Sequence, residues 1–165
     1  MIIGHYNLLK LFPNFTDDIK ENGIDLRIGQ VYKIHKDHKV VGSIDGIKHL
    51  PTYYKIRPTN KLYYKLLPKN YYFIEIDRDI TIPSGYCQFY FLRSTFSRCG
   101  LVLTDAVGDD SFNGRLMLGV YNSSPQAVYA GLNERIIQAV TIRNDGTALN
   151  YDGDYQDNRI YKGVE

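Results

Sequence analysis

YYFIEIDRDITIP (Tyr71–Pro83), QFYFLRSTF (Gln88–Phe96), GLVLTDAV (Gly100–Val107), GRLMLGVYN (Gly114–Asn122), AVYAGL (Ala127–Leu132) and IIQAVTIRN (Ile136–Asn144) follow one another at short intervals. Most are rich in Ile, Val, Tyr or Phe, and Gly, Pro, Asn or Asp bound them. Branched and aromatic side chains fit a pleated surface, and the bounding residues supply turns. Short strands at this spacing predict a mainly β fold: a β-sandwich, a jelly roll or a distorted barrel. Upstream, DLRIGQVYKI (Asp25–Ile34) alternates, and HKVVGSIDGIKHL (His38–Leu50) carries a turn signal at Asp45-Gly46. Before these, Gly4–Phe15 has the apolar content of a short helix ended by Pro13. A second helical turn is expected over Thr16–Asn22, with Thr16 as N-cap, Asp17 and Asp18 suiting the helix dipole, and Gly23 ending it. After residue 143 the chain turns polar and poor in aliphatics. The expected division is a β domain over 1–143 and a C-terminal arm over 144–165. The arm reads either as a lid that orders over a ligand or as a frayed end.

The chain has 165 residues, enough for one domain with a sizeable core. It is 44% apolar and 23% charged, a globular balance, and the net charge of +2 permits an anionic ligand without requiring nucleic acid. No apolar run approaches the roughly 20 residues of a membrane span. MIIGHYNLLK lacks the basic segment and cleavage site of a signal peptide, so a cytoplasmic location is expected. Cys87 and Cys99 read either as one disulfide or, in the preferred reading, as a reduced pair of small core residues. His35 and His38 stand close enough to share a metal, but no cysteine or further histidine is near in sequence. Between Lys48 and Ile74 lysines and tyrosines alternate with no acid. That is either a nucleic-acid surface or a tyrosine-rich sheet face with solvated lysines, and the second reading is preferred.

Chemistry concentrates in RSTFSRCGL (Arg93–Leu101) and TDAVGDDSFNGRLMLGVYN (Thr104–Asn122). Arg93 and Arg98 can neutralise a polyphosphate, and Ser94, Thr95 and nearby amides can bond its oxygens. A carboxylate a few residues later can take a proton from a water that attacks phosphorus. Asp109-Asp110-Ser111 also reads as a turn and nothing more.

These segments resemble the dUTPase and dCTP deaminase superfamily, its archaeal and viral members in particular. NGIDLRIG (Asn22–Gly29) is similar to the first motif, and the run into RSTFSRCGL to the Arg-Ser-Ser-Leu-Ala-Arg-x-Gly-Leu signature. TDAVGDDSFNGRLMLGVYN is similar to the third motif, ERIIQAV (Glu134–Val140) to the fourth, and YDGDYQDNR to the Tyr-Gln tail. The resemblance implies a distorted barrel or jelly-roll subunit, a homotrimer, and active sites between subunits closed by the arm. It implies that Arg93, Ser94, Thr95 and Arg98 hold a triphosphate, and that Thr104, Asp105, Ala106 and Val107 read a pyrimidine. It further implies that Asp109 activates water, Phe112 packs on the deoxyribose, Gln138 approaches the nucleotide and Asp25 supports the phosphate site. Tyr151 and Tyr155 would belong to the lid.

Departures from the family pattern sharpen the functional reading. Zinc-free deamination requires a carboxylate beside the base, and in deaminases it is a Glu on the strand after the third-motif turn; here Gly119 stands there. The expected activity is therefore hydrolysis of dUTP to dUMP and pyrophosphate. Mg²⁺ would be held chiefly through the substrate's own phosphates. The alternatives are a dCTP deaminase with its acid elsewhere and a silent nucleotide-binding trimer. Asp110-Ser111 replaces a common Pro-Gly, Asp154 stands where a phosphate-binding Lys is usual, and Asn158 stands near an expected Gln.

Overall fold

The computed structural model describes residues 1–36, 42–104, 107–146 and 148–163. His38, Asp105 and Ala106 from the sequence reading lie outside the described residues. The first element is helix α1 (His5–Leu11), followed by a 3-10 segment at Pro13–Asp18. The strands then run in order: β1 (Ile24–Ile34), β2 (Gly42–Ile44), β3 (Ile47–His49), β4 (Tyr53–Lys55), β5 (Tyr63–Leu66), β6 (Tyr71–Ile76), β7 (Ile80–Thr81) and β8 (Tyr86–Leu92). Helix α2 (Ser94–Arg98) precedes β9 (Leu101–Thr104), β10 (Val107–Gly108), β11 (Asn113–Gly114), β12 (Met117–Asn122), β13 (Val128–Gly131) and β14 (Arg135–Arg143). A second 3-10 segment covers Gln156–Gly163. Among the described residues no helix is long and apolar enough to cross a membrane.

The main sheet has the order β10-β8-β14-β1-β6-β12-β9, with β4 also on β1, and every pairing is antiparallel. β1 divides its partners: Ile24–Arg27 pair with β14, and Ile28–Tyr32 pair with β6. The register slips at both Leu26/Arg27 and Ile28/Gln30. A bulge of this kind bends a strand and raises its twist. Gly29 sits in it because a Cβ there would lie 2.7 Å from the Ile76 carbonyl oxygen and 2.8 Å from Asp77 Cα. The sheet curls about this bend. Its two edge strands, β9 and β10, are separated by two residues of chain, so covalent reach holds the edges within about 11 Å of each other. The predicted distorted barrel of short strands thus takes the form of a curled half-barrel.

The inner face is apolar because alternate residues point inward. Ile24, Leu26, Ile28 and Val31 of β1 meet Ile74 and Ile76 of β6, Leu118 and Val120 of β12, and Ile137 and Ala139 of β14, all buried. Leu8, Phe12 and Phe15 close one side of this core. Each fully buried aliphatic contributes about 1.5–3 kcal/mol. Buried Gln88 donates to Thr141 Oγ1 at 3.1 Å and accepts from Tyr90 at 3.2 Å. The Asn122 amide serves the Leu66 and Gln126 carbonyls and accepts from Ser124.

Of two local readings, the turn at Asp45-Gly46 is found as expected and the second helical turn is not. At Asp45-Gly46 both residues have positive φ (50° and 77°), the two-residue hairpin turn that this dipeptide favours. The expected second helical turn over Thr16–Asn22 is replaced by the 3-10 segment, which begins on Pro13 and stops at Asp18. The Thr16 hydroxyl donates back to the Pro13 carbonyl instead of capping. Asp18 is buried and accepts from Arg27 Nε and Arg135 Nε, both at 2.9 Å, with Arg78 at 3.4 Å. Burial opposes its charge, but the bonds from Arg27 and Arg135 hold its carboxyl below the usual range. Long-range ion pairs, invisible to local helix signals, fix where the chain turns.

Candidate active site

A cavity of about 670 Å³ opens where the curled sheet faces the C-terminal residues. Its walls include Tyr53, Phe73, Met117, Leu118 and Phe112, and among the described residues Asp109 is the single carboxylate lining it. Such a space, mostly apolar with several polar side chains among its walls, suits a nucleotide-sized ligand. Phe73 and Met117 come from neighbouring strands of the sheet. Their presence follows from the alternation of β6 and β12, whose odd-numbered residues are less buried than the even-numbered ones apart from Gly119.

The two adjacent acids have different environments. Asp109 is exposed at the cavity wall. The buried phenol of Tyr90 is pushed well above its ordinary range, first by burial and then by the Asp109 carboxylate. The Cys87 thiol is pushed up by burial and then by Asp109 and Asp110. Asp110, in contrast, is buried and accepts from the Gly85 amide at 2.7 Å, Ser111 Oγ at 2.8 Å and Asn144 Nδ2 at 2.9 Å. Burial raises its carboxyl, but these bonds outweigh it and hold the group below the usual range. The turn closes with the Phe112 amide on the Asp109 carbonyl at 3.1 Å, and Ser111 adopts a left-handed φ of 62°. Asp110 therefore anchors the turn that presents Asp109.

The residues from 150 onward dock on the segment after that turn. The Gln156 amide bridges two backbone groups, donating to the Ser111 carbonyl at 3.0 Å and accepting from the Asn113 amide at 2.9 Å. Asn158 Oδ1 accepts from the Arg115 amide at 2.6 Å, and Asp157 accepts from Asn113 Nδ2 at 2.8 Å. The Tyr151 amide bonds the Asp110 carbonyl at 2.9 Å, and its ring meets Phe112 with centroids 5.9 Å apart. Tyr151 and Tyr155 both line the cavity. Asp154 pairs with Lys48 of β3, which ties these residues to the β2–β3 hairpin and its continuation through Leu50–Tyr53, also in the wall.

The sequence-predicted residues thus fall into two groups. Val107, Asp109, Phe112, Tyr151 and Tyr155 line the cavity. Arg93, Ser94, Thr95, Arg98, Asp25 and Gln138 do not. They lie at and beside α2, where Asp25 Oδ2 holds Arg93 Nε at 3.2 Å and Gln138 faces Asp25 across the β1–β14 ladder. The second Asp25 oxygen is buried and has no hydrogen-bond partner among the described residues. Thr104 does not line the cavity, and its hydroxyl pairs with that of Tyr71. Sequence reading missed Tyr53, Phe73, Gln156 and Arg115. The Tyr-Lys alternation flagged part of this wall without saying that Tyr53 and Phe73 turn toward a cavity and pack edge to face at 4.8 Å.

Gly119 lies between Phe73 and Thr104 in register. A Cβ at this position would overlap the Tyr71 hydroxyl and Thr104 Oγ1. The place where a side chain would project is therefore filled by two hydroxyls.

Comparison with known proteins agrees with the sequence motifs. Residues 8–143 match the family described as dCTP deaminase-like. The chain is 36% identical over 157 residues to the probable deoxyuridine 5'-triphosphate nucleotidohydrolase of Methanothermobacter thermautotrophicus, covering 95% of this chain and 100% of that one. It is 30% identical to the deoxyuridine 5'-triphosphate nucleotidohydrolase of Methanocaldococcus jannaschii, covering 99% of each. It is also 30% identical to the dCTP deaminase of Pyrobaculum islandicum, covering 92% of this chain and 84% of that one. Among solved structures, the 2'-deoxycytidine 5'-triphosphate deaminase of Agrobacterium tumefaciens shares the fold with a TM-score of 0.65 at 14% identity. That likeness covers 90% of this chain and 48% of the other.

Proposed function

The chain belongs to the dCTP deaminase-like family, and on that premise we infer that it is a dUTP diphosphatase. The observation that carries this reading is the placement of acids: among the described residues Asp109 is the one carboxylate in the cavity wall, while the space over Gly119 is taken by the Tyr71 and Thr104 hydroxyls. In the inferred reaction Asp109 accepts a proton from water as its oxygen bonds to the α-phosphorus. The bond from that phosphorus to the α–β bridging oxygen breaks, and pyrophosphate leaves dUMP behind. A positioned base of this kind is worth about 10²–10⁴-fold in rate. Phe112 and Tyr151 present adjacent rings for the sugar, and the residues after 143 serve as the lid.

Among the described residues no three acidic, histidine or cysteine side chains converge on one point. In this reading Mg²⁺ would be held mainly by triphosphate oxygens and water, with no dedicated protein ligand. When bound, Mg²⁺ neutralises charge on the phosphates.

The phosphate-binding cations in this reading come from a neighbouring subunit of a homotrimer. Arg93 and Arg98 lie outside the cavity that holds Asp109, and the outward residues of β8 and β10 are apolar: Phe89, Phe91 and Val107 are 38%, 53% and 51% exposed. A second copy covering this strip would join the two groups. The enzyme would act on the cytoplasmic nucleotide pool. Relatives named dCTP deaminase keep deamination as the rival.

The test is to incubate the pure protein with dUTP or dCTP, with Mg²⁺ or with chelator, and separate the products. Mg²⁺-dependent dUMP and pyrophosphate are expected from dUTP. Ammonia release from dCTP would overturn the assignment. Asp109→Asn should lower kcat by about 10²–10⁴-fold with little change in KM, and full retention of turnover would remove it as the base.

A further inference from the structure

A buried hydrogen-bonded chain ends against the residue that precedes Asp109. Thr141, Gln88 and Gly108 stand in one row across β14, β8 and β10. Gln88 Nε2 donates to Thr141 Oγ1, and Gln88 Oε1 accepts from Tyr90 Oη. Tyr90 is two residues along β8 from Gln88, so both side chains leave the same face of the sheet. Thr141, Gln88 and Tyr90 are all buried. Tyr90 nevertheless reaches the cavity wall, beside Gly108 and Asp109. Gly108 leaves room for it: a Cβ there would overlap the Tyr90 hydroxyl and stand 2.5 Å from Ile82 Cδ1. The backbone does not itself call for glycine, because the φ of Gly108 lies outside the left-handed region. What excludes a side chain at 108 is the packing of the phenol and of Ile82 against the strand.

We propose that Tyr90 is a positioning residue for Asp109: its phenol, fixed by Gln88, bears on the backbone at Gly108 and so sets where the neighbouring carboxylate stands. This rests on the diphosphatase reading above and adds to it the group that aims the base. Strand β10 has only two residues, Val107 and Gly108, so its ladder with β8 offers few bonds to hold the chain there. Asp110 anchors the chain after Asp109 through Gly85, Ser111 and Asn144. Tyr90 bounds the chain before it. The carboxylate is thereby located from both sides. Burial, and then the Asp109 carboxylate, keep the phenol protonated, so its hydrogen stays on Gln88. A hydroxyl tied to a buried amide has one place to sit, and a backbone without a Cβ packs directly on it. Misplacing a reacting group by about 1 Å costs about a hundredfold in rate.

The variants are Gly108→Ala, which drives a methyl into the phenol, Tyr90→Phe, which removes the hydroxyl, and the two together. In the double variant the methyl enters the space that the hydroxyl leaves. Its next neighbours are Ile82 Cδ1, the end of a flexible side chain, and Tyr90 Cζ at 3.1 Å. Each protein is assayed for kcat and KM on dUTP. Hydrogen exchange is followed at the Phe112 amide, which closes the turn on the Asp109 carbonyl and reports the chain without any turnover. Gly108→Ala should lower kcat by about ten- to a hundredfold with KM within about threefold, and the Phe112 amide should exchange faster by about tenfold. Tyr90→Phe should lower kcat by about three- to tenfold. The double variant should match Tyr90→Phe within about threefold in both kcat and exchange, because the two changes relieve one contact. Single variants that keep kcat within about twofold, or a double variant that loses the product of the two single losses, would overturn the proposal and leave the diphosphatase reading standing. Should Gly108→Ala fail to fold alone, a folded and active double variant would support the same contact, and a double variant that also fails would overturn it. Wild-type protein that turns over no dUTP would instead remove the reaction, and the role of Tyr90 would then stand or fall on whether exchange at Phe112 rises in Gly108→Ala and returns in the double variant.

Discussion

Two carboxylates one residue apart carry opposite burdens, and substitution separates them. Asp109 is exposed toward the cavity, so its amide variant should lose turnover and keep its fold. Asp110 accepts bonds from Gly85, Ser111 and Asn144, and an amide in its place must turn a donor toward at least one of them. Asp110→Asn is expected to destabilise the protein by about 1–3 kcal/mol, read from urea denaturation. Its loss of activity should follow the loss of the turn. The pH dependence has a definite sign. Because the folded carboxyl titrates below its unfolded value, the stabilisation from Asp110 is fully present above about pH 4 and is lost as pH falls toward and through the lowered folded value. Asp110→Asn should therefore narrow its deficit against wild type as the pH drops below about 4, and a deficit that stays constant would show that the carboxylate's charge is not what holds the turn. This division could not be read in the sequence. Asp-Asp-Ser announces a turn, and which acid faces inward depends on Gly85 and Asn144, which are 25 and 34 residues away.

Elements were legible where their signals are local. β14 and the Asp45-Gly46 hairpin follow from composition and turn chemistry. The division of β1 between two partners does not, since it depends on Gly29 meeting the backbone at Ile76 and Asp77. The arm is the harder case. Its polar sequence admits a lid or a frayed end, and its docking uses side-chain amides on backbone groups, which leave no complementary residue type to find. Gln156 makes the two-point contact around Phe112, and Asn158 adds a third at Arg115. This also explains how Asp154 and Asn158 are accommodated: Asp154 engages Lys48, and Asn158 engages the chain. Removing the amide in Gln156→Ala takes away two bonds, about 1–2 kcal/mol for the docked state, or a factor of about 5–30 in its population. If the arm is a lid, KM for dUTP should rise by about that factor and trypsin should cut faster at Arg159, with the midpoint of global unfolding little changed. Unchanged KM alongside faster cutting would identify a docked end with no part in binding.

At the scale of the whole molecule, curling the sheet brings Asp109 into a cavity and leaves the Arg93–Arg98 segment outside it. Phe91, Gln138 and Asp25 stand in one row on the outward side of β8, β14 and β1, with Phe89, Val140 and Val107 in the next. An apolar strip bordered by a buried carboxylate that holds an arginine is a poor solvent surface, and in the proposed assembly it is the subunit contact. If the cations reach a neighbour's cavity across this contact, each active site takes its base from one protomer and its arginines from the next. Such an arrangement makes a quantitative prediction. Asp109→Asn and Arg98→Ala should each be nearly inactive alone. Co-expressed in equal amounts, they should assemble sites of which about a quarter combine an intact Asp109 with an intact Arg98 from a neighbour, and activity should recover to about that fraction. A charge in the strip, Phe91→Glu, should reduce the assembly to smaller species in sedimentation and abolish the recovery. If both groups instead served a site within one protomer, each chain would carry its own defect wherever it assembled, and mixing would restore nothing.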